Sequence, residues 1–128
     1  MFSHVVVGAN DLEASRAFYD AVLGTLGVAP GVVDAKGRVV YMHDGGRLLV
    51  TRPVDGEAAC HANGGTIGFA AASPEVVEAW HAAGLAHGGT TCEEPPGIRH
   101  AAERRVLYLA YLRDPVGNKL CASHRMAG

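Results

Sequence analysis

The sequence predicts an α+β fold in which a βαβββ module occurs twice. Three observations carry that reading. Extended, β-branched stretches surround one amphipathic helical stretch in each half of the chain, in the same order. His4–Gly27 overlays Thr66–Gly89 without a gap, at an offset of 62 residues. Arg38-Val39-Val40-Tyr41-Met42 overlays Arg105-Val106-Leu107-Tyr108-Leu109, and after a longer second turn Leu48-Leu49-Val50 overlays Leu120-Cys121-Ala122. Within the first overlay Glu13 meets Glu75, Leu23 meets Leu85, Gly27 meets Gly89, and Asp11 at the helix cap meets Ser73. Agreement in element order, caps and stops favours an internal duplication.

Each element has its own local cause. Phe2 to Gly8 is a strand by its run of valines. Asn10 and Asp11 can both cap the helix that follows, and Asn10-x-x-Glu13 has the spacing of a capping box. Leu12, Tyr19, Val22, Leu23 and Leu26 recur at helical spacing, and Gly24 and Gly27 supply the stop. A short extended segment, Val28 to Asp34, leads to a hairpin: Arg38 to His43, a turn at Asp44-Gly45-Gly46, and Arg47 to Arg52. Residues 53–63 are small and polar and read as a linker, which gives module 1 as 1–52 and module 2 as 64–125 within one domain, 1–128. In module 2, Gly65 to Ala71 is a strand, Ser73 caps a helix with Pro74 at its first position, and Gly88-Gly89 ends it. Thr90 to Glu94 is a short strand, and Ile98 to Arg104 reads as irregular and basic. Arg105 to Leu112 and Lys119 to His124 form the last hairpin, around Asp114-Pro115-Val116-Gly117-Asn118.

Composition narrows the function. A chain of 128 residues with 48% hydrophobic residues has enough apolar mass for one folded domain. A net charge of −2 with dispersed Lys and Arg argues against nucleic acid as a partner. No apolar run reaches the length of a membrane span and no export signal opens the chain, so a cytoplasmic protein is expected. The three cysteines, Cys60, Cys92 and Cys121, have no C-x-x-C spacing and read as reduced thiols. No G-x-S-x-G, P-loop or dinucleotide fingerprint is present.

An early His4-Val5-Val6-Val7 strand, an Asn10-Asp11-Leu12-Glu13-Ala14-Ser15-Arg16-Ala17-Phe18-Tyr19 helix start and a late Asp114-Pro115-Val116-Gly117-Asn118 hairpin together resemble the vicinal oxygen chelate superfamily. That superfamily includes glyoxalase I, extradiol dioxygenases and bleomycin-resistance proteins. The resemblance covers essentially the whole chain. It implies two βαβββ modules whose strands curl into a U-shaped mixed sheet with helices on the convex face. It also implies a small-molecule ligand on the concave face and pairing of chains into a homodimer. The metal-ligand positions of metal-dependent members correspond here to His4, Leu49, Thr66 and Cys121. Leucine is no ligand and threonine a poor one, so His4 is the only plausible metal ligand and no complete divalent-metal site is expected. Any cofactor is left open.

The resemblance therefore implies a glyoxalase- and bleomycin-resistance-like protein with a degenerate metal site, which sequesters or transforms a small metabolite or xenobiotic. The alternative is a metal-dependent lyase or dioxygenase, of the lactoylglutathione-lyase kind, with a non-standard ligand set that includes His4. No catalytic residue is assigned, and whether the chain is an enzyme stays open. The expected substrate-binding residues are His4, Thr66, Tyr108, Cys121, His100 and Arg99, the last two from a basic loop suited to an anionic ligand. Period-two alternation puts Tyr108 and Tyr111 on opposite faces of one strand, and leaves open which looks inward.

Overall fold

The structure, a computed structural model, describes residues 1–126. The first half contains β1 (Val5–Gly8), α1 (Leu12–Gly24), β2 (Val32–Val33), β3 (Val39–His43) and β4 (Gly46–Thr51). The second contains β5 (Ile67–Ala70), α2 (Pro74–Ala86), β6 (Thr90–Thr91), β7 (Gly97–His100), a 3-10 turn at Ala102–Arg104, β8 (Val106–Arg113) and β9 (Lys119–Arg125). The α+β class and the two βαβββ runs are as the sequence predicts, with β7 as an added strand. Two mixed sheets result, ordered β1-β4-β3-β2 and β5-β9-β8-β6, with β7 also on β8. In each, the first strand lies parallel to the last and the remaining pairs are antiparallel.

The irregular reading of Ile98 to Arg104 needs correction. β7 pairs with β8 from Gly97↔Leu109 to His100↔Val106. The reason lies in β8, which is eight residues long. Its outer edge meets β6 only at Leu112 and Arg113, and β7 satisfies the backbone groups that remain.

Local chemistry sets the ends of the elements. Asp11 caps α1, its carboxylate accepting from the Ala14 N–H at 3.1 Å. Asn10 does not cap; its side-chain oxygen accepts from the Ala59 N–H at 2.7 Å and ties the 53–63 segment to the start of α1. Ser73 caps α2 by accepting from the Val76 N–H at 3.2 Å, with Pro74 in the first turn. Asp44 (φ 47°) and Gly45 (φ 81°) form the two-residue loop between β3 and β4, the positive-φ pair that suits the twist of a hairpin.

The last turn joins the two halves. Asp114 is buried, and one of its oxygens accepts from the N–H groups of Val116, Gly117 and Asn118, each at 2.9 Å. The other accepts from the Tyr19 hydroxyl at 2.6 Å and the Asn118 amide at 2.8 Å. The Asn118 amide also reaches the Gly8 carbonyl at 3.4 Å. Tyr19 lies on α1 and Gly8 ends β1, so the Asp-Pro-x-Gly-Asn turn holds module 2 against module 1.

One core serves both modules. Phe18, Tyr19 and Val22 of α1 pack with Val77 and Trp80 of α2, and around them lie Val7, Val39 and Val50 of the first sheet and Ala110, Leu112 and Leu120 of the second. Each fully buried side chain of this size stabilises the fold by about 1.5–3 kcal/mol relative to exposure. The close approach of α2 to β8 depends on Gly84, where a Cβ would lie 2.3 Å from Leu112 Cδ1. Because strand side chains alternate, the residues between these core positions point to the opposite, outer face of each sheet. On the first sheet they are Val6, Val40 and Leu49, and on the second Leu109, Tyr111 and Cys121.

Candidate functional site

The edge strands β1 and β5 border a cleft of about 610 Å³ between the modules. Its walls are mainly apolar: Leu23, Leu26 and Val28 at the end of α1, Val5 and Leu48 from the first sheet, and Ile67 and Phe69 from β5. Polar groups stand at its rim. Ser3 and His4 come from the approach to β1, Thr66 from the approach to β5, and His43, Asp44 and Arg47 from the β3–β4 hairpin. The Ser3 hydroxyl is 2.7 Å from His4 Nδ1, and His43 Nε2 is 3.3 Å from Asp44. The cleft thus offers an apolar body and a hydrogen-bonding mouth.

Of the expected site residues, His4 and Thr66 are brought together as lining of this cleft, and both are exposed. Leu49 and Cys121 are not part of its lining; each is buried in the middle of its own sheet. Arg99 and His100 separate, because adjacent residues of β7 face opposite ways: Arg99 pairs with Leu107 and His100 with Val106.

The tyrosines of β8 are assigned by their contacts. Tyr108 faces α2 and donates its hydroxyl to Glu78, so it lies on the helix side, away from Cys121. Tyr41, its counterpart in the overlay, does the same in the first module, donating to Asp20 of α1 at 2.7 Å. Burial and then the Asp20 carboxylate push the Tyr41 phenol above its usual range. Tyr111 is the tyrosine paired with Cys121 on the outer face. Sequence reasoning left the choice between Tyr108 and Tyr111 open and passed over Lys119 and Glu93. Counting along the final hairpin would have settled which tyrosine shares a face with Cys121, since residues 111 and 121 are opposed across its turn.

The donor chemistry at the four superfamily positions does not fit a divalent metal. Leu49 has no donor atom. Burial pushes the Cys121 thiol up to about 11 from its usual 9.0, with Glu93 adding to the rise and Lys119 and Arg99 opposing it. A metal binding at this thiol would have to displace a proton held more tightly than in a free cysteine. Among the described residues no three His, Cys, Asp or Glu side chains come together closely enough to hold a metal ion. Among them, too, no helix is long and apolar enough to cross a membrane.

Comparison with known proteins adds the family. The family model described as a glyoxalase-like domain matches residues 4–123. The crystal structure of a glyoxalase/bleomycin resistance protein from Albidiferax ferrireducens is 61% identical, covers 98% of this chain and 99% of its own, and superposes with a TM-score of 0.93. A glyoxalase/bleomycin resistance protein/dioxygenase family enzyme from Burkholderia phytofirmans shares the fold at 17% identity, with a TM-score of 0.73 and coverage of 97% and 98%. A lactoylglutathione lyase from Agrobacterium tumefaciens does so at 22% identity, with a TM-score of 0.65 and coverage of 97% and 92%. No curated protein sequence matches. The paired βαβββ modules, the Asp114 turn and a family match over nearly the whole length lead to one statement: this chain belongs to the glyoxalase-like domain family of the vicinal oxygen chelate superfamily.

Proposed function

We propose that the protein binds a small, largely apolar molecule in the cleft between its modules, and that it does so without a divalent metal. The observation that carries this reading is the cleft itself. Its volume of about 610 Å³ falls within the range of roughly 300–1,000 Å³ common to small-molecule sites, and apart from the buried Tyr41 its polar side chains are exposed ones. His4 and Thr66 supply hydrogen bonds at the mouth, while Leu26, Ile67 and Phe69 supply apolar contact. A metal-dependent lyase or dioxygenase would need ligands besides His4, and Leu49, Thr66 and Cys121 do not provide them. The 61% identical relative is named a glyoxalase/bleomycin resistance protein, which supports sequestration of a xenobiotic or metabolite as the biological role. Pairing of two copies into a homodimer belongs to the same proposal, because the outer face of the first sheet exposes Val6, Val32 and Met42.

The test is a thermal-shift screen of small aromatic and amphiphilic compounds, with metal analysis of protein purified without chelator. Saturable stabilisation is expected in the wild type. It should weaken in His4→Ala and vanish in Thr66→Trp, which fills the mouth. Stoichiometric divalent metal that is lost in His4→Ala would overturn the metal-free reading. Consumption of a stabilising compound would replace sequestration by catalysis.

A further inference from the structure

The groups that line the cleft divide by depth. Tyr41 is its buried polar side chain, and the hydroxyl proton is already given to Asp20 at 2.7 Å. Asp20 also accepts from the Gly31 N–H at 3.0 Å, so the fold itself holds both ends of this bond. Tyr41 therefore presents its ring rather than a free donor, alongside Leu23, Leu26, Val28 and Leu48. A polar group of a ligand placed at that depth would lose its water and find no new partner. The buried part of a ligand must be hydrocarbon.

The mouth is charged, and its charges do not cancel. His4, His43, Asp44 and Arg47 line it. The Asp44 carboxylate lies 3.3 Å from His43 Nε2. Asp34, the acid that shares with Arg47 a smaller hollow beside β2, is bound to Arg38 at 2.7 Å. Among the described residues no carboxylate lies within ion-pair distance of Arg47. Val5 pairs with Leu48 in the parallel ladder, so His4 and Arg47, one residue earlier on each strand, stand level with each other. His4 Nδ1 is 2.7 Å from the Ser3 hydroxyl, which leaves Nε2 for a ligand. The mouth thus keeps an uncompensated guanidinium beside an imidazole. A guanidinium fork is the planar complement of a carboxylate.

Resting on the cleft as the binding site, we propose that its ligand is an amphiphilic carboxylic acid. A hydrocarbon chain or ring fills the apolar depth, and Arg47 holds the carboxylate at the mouth, with His4 beside it.

The test uses the full chain with octanoate, octanol and octylamine, which share a chain and differ in the charge of the head. Each is kept below its critical micelle concentration, at pH 7 and low salt. Amide NMR titration reads both affinity and location. Octanoate should saturate with shifts at Arg47, Ile67 and Phe69, and bind about fivefold or more tightly than octanol, with octylamine weakest. Added salt should weaken octanoate and leave octanol unchanged. Arg47→Ala should bring octanoate down to the level of octanol, and Arg47→Glu should reverse the order of acid and amine. Arg105→Ala, outside the cleft, should change neither. The amide spectrum of each variant reports that it is folded. Octanol that binds as tightly as octanoate, or an Arg47→Ala chain that binds octanoate as well as wild type, overturns the acid and leaves the cleft as the binding site. Shifts confined to residues outside the cleft overturn both. If none of the three binds, the acid is overturned, and the cleft falls with it only if the thermal-shift screen is also empty.

Discussion

Asp114 shows how much a single side chain can organise. Its carboxylate accepts five hydrogen bonds, from three backbone N–H groups of its own turn, from Asn118 and from Tyr19 of the other module. Tyr19→Phe removes one bond to a charged group and should cost about 1.5–3 kcal/mol. Asp114→Ala leaves the Tyr19 hydroxyl and the turn amides without their acceptor and should cost at least about 3 kcal/mol. Urea denaturation checks both, and equal losses would mean that the turn amides find other partners. Cys121 makes a pH prediction. Its folded-state pKa, about 11, lies above its usual 9.0, so the native state holds a proton that the unfolded chain releases first. That contribution is complete below pH 9 and is lost as pH rises through about 11. Tyr19, raised mainly by burial and then by Asp114, acts in the same direction at higher pH. Stability should therefore fall from about pH 9 upward, less steeply in Cys121→Ala, as measured by denaturation at a series of pH values.

Among the elements, α2 shows where composition and packing conflict. Glycine inside a helix costs about 1 kcal/mol relative to alanine, so propensity alone favours Gly84→Ala. Packing decides otherwise, since the added Cβ would meet Leu112 Cδ1 at 2.3 Å and Val22 Cγ1 at 3.2 Å. Gly84→Ala should destabilise by about 1–3 kcal/mol. Gly24 ends α1 with nothing within 4 Å of such a Cβ, and Gly24→Ala should be neutral or stabilising by up to about 1 kcal/mol. Thermal unfolding of the two variants checks the contrast, and shifts of the same sign would remove the steric account. The sequence displays both glycines alike, because what separates them is contact with α1 and β8. Caps behave differently. The bonds of Asp11 and Ser73 reach only three residues along the chain, so the starts of α1 and α2 were legible locally. β7 was not, because an edge left open by β8 and β6 makes it, and its own residues, Gly97 to His100, carry no strong strand signal.

For the whole molecule, the same distinction separates what the sequence reveals from what it hides. The two modules and their order are legible because helical and strand periods, caps and turns are local. The offset of 62 residues also picks out His4 and Thr66, which do meet at the cleft. The cleft walls are hidden, since Leu26 of the first module and Ile67 and Phe69 of β5 converge only when both modules share one core. Alternation shows that Tyr108 and Tyr111 oppose each other, yet the side each takes depends on where α2 packs. That shared core also turns the other face of each sheet outward, and the two outer faces differ in character. The first exposes Val6 at 48%, Val32 at 68% and Met42 at 67%, whereas the second carries Arg99, Tyr111 and Lys119. A proposed homodimer would cover the apolar face, and a charge placed there would lose its water on association. Val6→Asp and Met42→Glu should therefore each weaken self-association at least tenfold while changing monomer stability little, because both sites are exposed. Sedimentation velocity over a concentration series measures this. A wild-type chain that stays monomeric at high micromolar concentration, or a dimer indifferent to both charges, would remove the first sheet from any interface.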